Sequence, residues 1–249
     1  MKTLSPETTV GEMAATQPAS VRVFETHGID FCCGGKISLA DACRDRGVVL
    51  EALLAEIDRA ASAGAADEKD WTRAGIDSLI DHILDTHHAY LKTQLPRLGA
   101  MIEKVRSKHG ERHGNVLEPL AGTFGPLRQE LESHLAKEET VLFPLIRSLA
   151  LARDSGIQPP AHHCGSVRNP LRVMLMEHDS AGEALARMRT ITDGYAAPAD
   201  ACNTFRAMYW ELSELERDLH RHIHLENNIL FPRAVELEQG PLAEAGAAR

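Results

Sequence analysis

The chain is poor in aromatic residues: Phe, Tyr and Trp together make up 4% of its 249 positions. Runs of β-branched residues are equally scarce while Ala and Leu are frequent, so there is little from which to build a sheet and much from which to build helix. No apolar run approaches the ~18 residues of a membrane span, and the opening MKTLSPETTVGEM lacks the apolar core of a signal peptide. Cysteine is limited to five residues, an odd number with two adjacent, which does not suit a secreted disulfide framework. Positive charge is in deficit: 27 Lys and Arg against 36 Asp and Glu give a net charge of −9. A general nucleic-acid binder would need a basic face for phosphates. The expectation is a cytoplasmic protein with neither membrane nor nucleic acid as partner. With 43% hydrophobic and 25% charged residues the chain is an ordinary globular one, long enough for a mid-sized domain plus a small one.

What is abundant is histidine, at 13 residues. Its placement follows the organisation of the chain. Residues 1–63 read as a small helical unit: Pro18 opens a helix over Ala19 to His27, Gly28 stops it, and Ser38 with Asp41 resembles a capping box. Leu50, Leu53, Leu54 and Ile57 form a helical stripe. The stretch Ala63 to Asp70 (AGAADEKD) is small and charged without apolar periodicity, so residues 64–74 are read as a linker. From 75 to 239 come four long helical patterns, roughly 75–108, 115–150, 168–193 and 199–236. The breaker-rich segment DSGIQPPAHHCGSVRNP separates the second from the third. The fold class is therefore all-α, with an up-down four-helix bundle behind the small helical domain.

The bundle contains an internal repeat. His134-Leu-Ala-Lys-Glu138 runs on to Phe143-Pro144, and His222-Ile-His-Leu-Glu226 runs on to Phe231-Pro232, each residue 88 positions from its counterpart. Leu127 and Leu131 match Leu215 and Leu219 at the same offset. His88, with Leu95 and Leu98, matches His178, with Leu185 and Met188, at an offset of 90. Two helical hairpins related by duplication face each other.

On each helix the repeated polar residues interrupt the apolar stripe. His134 and Glu138 sit among Leu127, Leu131, Val141 or Leu142, and Leu145; His222 and Glu226 sit among Leu215, Leu219 and Ile229 or Leu230. His88 shares a stripe with Leu84, Leu91 and Leu95, and His178 with Met174, Ala181 and Leu185. Four imidazoles and two carboxylates thus face one core, where charge is costly unless paired or bound to metal. A lone histidine on such a stripe is usually a hydrogen-bonded core residue, and a lone His-x-x-x-Glu is common on wet helices. Six such residues repeated over a duplicated hairpin point to metal instead. The set is too large for a closed structural zinc site and has no Cys at the repeated positions. Imidazole with carboxylate suits a pair of iron ions, manganese being the alternative, with positions left for a small diatomic or an oxo bridge.

Among the neighbours, His87 lies about 100° round the helix from His88, and the repeat selects His88. His220 and His224 fall roughly 160–200° from His222 and are expected to face solvent. Glu130, one turn before His134, and Glu177, just before His178, are either orienting or proton-carrying groups for the site or surface carboxylates. His162, His163 and Cys164 sit together in the interhelical loop and could bind metal, a mobile loop being the preferred reading. Cys43 and Cys202, without companions, are expected to be packing residues. In His27-Gly-Ile-Asp-Phe-Cys32-Cys33-Gly34-Gly35 the glycines permit an exposed turn. Cys32 and Cys33 are either a thiol pair for redox, iron or nitrosyl handling, or ordinary thiols in that turn.

With DFCCGG, the EHD around His178 and the HIHLENNILFP segment in this order, the chain resembles the repair-of-iron-centres family across nearly its whole length. The resemblance implies a hemerythrin-like bundle behind a short di-cysteine domain, with iron ligands at His88, His134, Glu138, His178, His222 and Glu226 and with both glutamates bridging two iron ions. It places the family's cysteine pair on Cys32 and Cys33. It also implies a protein of nitrosative and oxidative stress that restores damaged iron–sulfur proteins by donating iron, by handling nitric oxide at the di-iron site, or both. Nitric oxide reductase activity is one such route, and non-catalytic binding of NO or O₂ is the alternative. Some members form homodimers, and nothing in this sequence fixes the oligomeric state.

Overall fold

The structure, a computed structural model, describes residues 7–62, 69–159 and 162–239. Among these residues there is no β-strand, only an isolated bridge between Thr9 and Ser38. The N-terminal unit has four helices: α1 (Val10–Thr16), α2 (Ala19–His27), α3 (Leu39–Arg46) and α4 (Leu50–Ser62). Local signals set their ends. Thr9 and Glu12 form a complete capping box on α1, and the Ser38 hydroxyl accepts from the Asp41 amide at the start of α3. α2 stops at Gly28, whose φ of +63° lets the Ile29 amide bond back to the Phe24 carbonyl at 2.9 Å. Val10, Met13, Phe24, Phe31, Leu39, Leu53 and Ile57 close a core of their own. Of the expected linker, 64–74, residues 64–68 lie outside the described residues. The chain next appears tied to the bundle, where the Arg233 guanidinium donates to the carbonyls of Trp71 and Ala74.

The bundle begins with α5 (Ile76–His82), which passes through a single wide π-helical turn, Ile83–His88, into α6 (Ala89–Lys137). α6 breaks at His113 (φ −121°, ψ 19°), between the two expected helices, and its limbs fold back on each other: Arg106 pairs with Glu118 across the bend at 2.8 Å. A second π turn, Glu138–Leu142, leads into α7 (Phe143–Asp154). After α8 (Arg168–Ile191), α9 (Asn203–Leu225) passes through a third, Glu226–Leu230, into α10 (Phe231–Gln239). In the second and third wide turns Phe143 and Phe231 bond the carbonyls five residues back, those of Glu138 and Glu226. The prolines that follow, Pro144 and Pro232, have no N–H for the regular i−4 bond, which favours this wider turn.

Two apolar cores fill the bundle. One holds Leu91, Leu95, Leu120, Leu185, Leu212 and their neighbours; the other holds Ile80, Ile83, Ile146, Leu171, Leu230 and theirs. Between them lies a buried polar layer. It is made of residues at the three wide turns, of their partners one turn away, and of His178 within α8.

Candidate metal centre

All six repeated residues meet in that layer. His88, His134, His178, His222, Glu138 and Glu226 are all buried, both glutamates completely. Their donor atoms form two sets, His88, Glu138, His222 and Glu226 in one and His134, Glu138, His178 and Glu226 in the other. Within each set the atoms lie within 4.8 Å of one another. Both glutamates belong to both sets, so two adjacent positions share two carboxylates.

The contacts within the layer fit a metal better than they fit each other. The Nε2 atoms of His88 and His134 approach Glu138 Oε2 at 3.3 Å, with the distance of an ion pair but not the direction of a hydrogen bond. His88 Nε2, both Glu138 oxygens and Glu226 Oε2 are left buried without a hydrogen-bond partner among the described residues. The Nε2 atoms of His134 and His178 face each other at 3.1 Å. Orphaned polar atoms in a dry interior are costly, and a cation among them is the economical remedy. Electrostatics agree. Burial and the neighbouring Glu226 both resist ionisation of Glu138, yet His134 and His88 outweigh them and hold it below the usual carboxylate range. Burial resists the charged form of His134 too, but Glu138 and Glu226 push it up to about 9. Glu226 is held well down by His222 and His178 against its burial. Without metal, the site is a mesh of buried charges that offset one another.

Further partners orient three of the four imidazoles through Nδ1. His88 meets Glu139 at 2.8 Å, His134 meets Glu177 at 2.9 Å, and His178 meets Asn227 at 2.7 Å. Lys92 anchors Glu139, and Lys137 anchors Glu177. The fourth, His222, has no Nδ1 partner among the described residues; the His87 ring stacks parallel to it at 5.5 Å, held by Asp218 at 2.9 Å. Such partners fix the ring and its tautomer, as metal ligands require.

Glu177 thus sits where it can orient His134. Glu130 accepts from Ser180 at 3.2 Å and lines a small cavity with Leu131, His134, Glu177, His178, Ala181, Leu219, His222 and Ile223. Its volume, about 10 Å³, is near the least that holds one water-sized molecule. Cys32 and Cys33 are free thiols 3.8 Å apart in a turn held by Asp30, whose carboxylate accepts from both backbone amides at 3.0 Å. The Cys33 thiol reaches the His178 carbonyl at 3.5 Å rather than the donor atoms. The hydrogen bond to Cys33, burial and Asp30 raise Cys32 well above the ordinary thiol value, which keeps it protonated at neutral pH. The pair opens onto a cleft of about 1020 Å³ between the N-terminal unit and the bundle.

Several expectations need correction. His224 is buried, 5% exposed, with Asn228 donating to its Nδ1 at 2.9 Å and Phe31 against its ring at 5.6 Å. His220 is half-buried near Glu216. The helical geometry puts both away from the bundle core, but the N-terminal unit covers that face. Cys202 is an exposed residue 3.2 Å from His109, not a packing one. Cys43 is buried as expected, and the donors of His162, His163 and Cys164 lie together in the loop. The reading of sequence missed Glu139 and Asn227. A signal was present, for they are 88 residues apart and each follows a repeated glutamate.

Comparison with known proteins extends this reading. A family model described as the hemerythrin HHE cation binding domain matches residues 79–234. A second, described as a domain of unknown function (DUF542), matches residues 6–61. The chain is 40% identical over 229 residues to the iron-sulfur cluster repair protein YtfE of Edwardsiella ictaluri, covering 91% of this chain and 96% of the relative. It is 39% identical to the protein of that name from Cronobacter sakazakii, over 92% and 97% of the two chains. A probable iron-sulfur cluster repair protein of Haemophilus influenzae is 36% identical over 91% and 96%.

Proposed function

The chain belongs to the hemerythrin HHE cation-binding family, together with the iron-sulfur cluster repair proteins it matches along most of its length, and from that premise we propose that it is a di-iron protein that repairs damaged iron–sulfur clusters. His88 and His222 would hold one iron ion and His134 and His178 the other, with Glu138 and Glu226 available to both. The observation that carries this is the pair of donor sets sharing two fully buried carboxylates. Such a pair of irons, when reduced, supplies two electrons and open positions for a diatomic ligand.

The residues around it do the rest. Glu139, Glu177 and Asn227 keep three imidazoles turned toward the metals. Leu131, Ala181, Leu219 and Ile223 limit the adjoining cavity to something the size of NO or O₂ and exclude bulk water. Glu130 and Glu177 are the carboxylates lining that cavity, and they are the groups placed to carry a proton to or from it. Iron donation uses the same ligands in reverse, since histidine and carboxylate release iron more readily than a closed thiolate cage does.

The test is to incubate the iron-loaded protein with a cluster enzyme inactivated by nitric oxide and to follow recovery of its activity together with nitrous oxide. Recovery with iron passing to the client supports donation. Nitrous oxide in excess over protein adds reduction of NO. A stable nitrosyl without recovery would leave only non-catalytic binding of NO and would overturn the repair reading.

A further inference from the structure

The di-cysteine turn touches His178 at both ends. Asn227 Oδ1 accepts from the His178 ring at 2.7 Å, while Nδ2 of the same amide donates to the Cys32 carbonyl at 3.2 Å. The Cys33 thiol donates to the His178 backbone carbonyl at 3.5 Å. That thiol packs over Gly182, where a Cβ would come within 3.2 Å of Sγ, so the turn lies directly on α8. The repeat provides the contrast. Glu139 occupies the position of Asn227 in the first hairpin and orients His88, but its remaining bond is to Lys92 of the same hairpin. His88 is therefore held by its own hairpin and His178 through the other domain. The amide is what permits this. A carboxylate at 227 would still accept from His178 but has no hydrogen to give to the Cys32 carbonyl.

We propose that Asn227 is a positioning residue that couples the di-cysteine turn to the metal position held by His134 and His178. Displacing the turn, by undocking of the N-terminal unit or by attaching a group to Cys33, loosens that position and leaves the one held by His88 and His222 in place. Linkage makes the coupling reciprocal: metal at the His134/His178 position changes the accessibility of Cys33. The proposal rests on the two-metal reading above and specifies how one of the two positions is controlled.

The full-length chain serves for the test, as wild type, Asn227→Ala and Asn227→Asp, with Glu139→Gln as a control acting on the other position. Two quantities are measured: extraction of ferrous iron by a chelator, and labelling of Cys33 by a maleimide in loaded and metal-free protein, resolved by peptide mass. Wild type is expected to hold two irons and to show different labelling rates in its two forms. Asn227→Ala releases one iron at least about tenfold faster, the scale of a lost ligand-orienting bond, with the second unchanged. Asn227→Asp keeps the acceptor for His178 but loses the bond to the turn, so it releases the same iron faster than wild type and more slowly than Asn227→Ala. In both variants the loaded and metal-free labelling rates converge. Glu139→Gln weakens one iron but leaves the labelling difference intact. If Asn227→Ala does not fold, Asn227→Asp decides by labelling alone. Equal acceleration of both irons, no acceleration of either, or a labelling difference that survives in Asn227→Asp would overturn the coupling while leaving the di-iron reading standing. A wild type holding fewer than two irons would overturn both.

Discussion

The two hairpins of the bundle share a ligand pattern and differ in what covers it. In the first, the face opposite His134 and Glu138 is bare: Ala136 and Thr140 are exposed. Their counterparts in the second, 88 residues on, are His224 and Asn228, and the N-terminal unit lies on them. Asn228 donates to the Phe31 carbonyl at 2.9 Å, and a Cβ on Gly11 would come within 2.4 Å of its amide oxygen, so only glycine allows the approach. Arg221 pairs with Glu25 through two bonds of 2.9 Å, and Ile223 joins the N-terminal core. Duplication therefore produced two equivalent half-sites, and docking of another domain made them inequivalent. The same break shows around the rings. Glu177 orients His134, whereas His87, its counterpart at an offset of 90, only stacks on His222.

The largest effect should come from removing what the halves share. On the proposed two-iron site, Glu226→Ala removes a carboxylate shared by both donor sets, and metal analysis is expected to fall from two irons per chain to well below one. His88→Ala, which touches one position, should leave about one. If the two variants lose metal equally, the positions are not independent half-sites. Removing all metal comes next. The buried carboxylates then rely on imidazoles alone, so the unfolding free energy read from denaturant titration should drop by several kcal/mol on chelation. Leu212→Ala, in the apolar core beyond the polar layer, should cost ~2–5 kcal/mol in loaded and metal-free protein alike and leave iron content unchanged.

The covered face also has a pH signature. Burial pushes His224 down to about 4. An unfolded chain takes up this proton near ~6.5, before the folded one does, so stability falls as pH drops from there towards about 4 and levels off below it. The full effect is on the order of 3 kcal/mol. In metal-free protein, His224→Gln should flatten that part of the stability profile, and an unchanged slope would show that the docked face does not exclude the charge. The smallest effects belong to the orienting bonds. Glu177→Gln and Glu139→Gln should each weaken metal retention about 10- to 100-fold, at opposite positions, as read by chelator competition.

The architecture and the six-residue buried layer were legible because each leaves a periodic trace. Apolar stripes mark the helices, and polar residues repeated on a stripe mark the layer. What was not legible arises between elements. The helical wheel of α9 turns His224 away from the bundle core correctly, but a single helix carries no record of a second domain packed on its outer face. Asn227 and Glu139 lie beside the ligand stripe by the wheel. They reach histidines of neighbouring helices only because wide turns occur at Glu138 and Glu226, and periodicity assumes regular helix. His113 shows the opposite case: the bend fell between the expected helices, where Gly110 and Gly114 weaken the helix locally.

The most direct test of the account is the metal content of anaerobically purified native protein, counted per chain for iron and zinc together with the visible spectrum before and after oxidation. Two irons per chain, with near-ultraviolet absorption that appears on oxidation and is lost in Glu226→Ala, is the result the shared-carboxylate site predicts. A single zinc, or no bound metal at all, would contradict it.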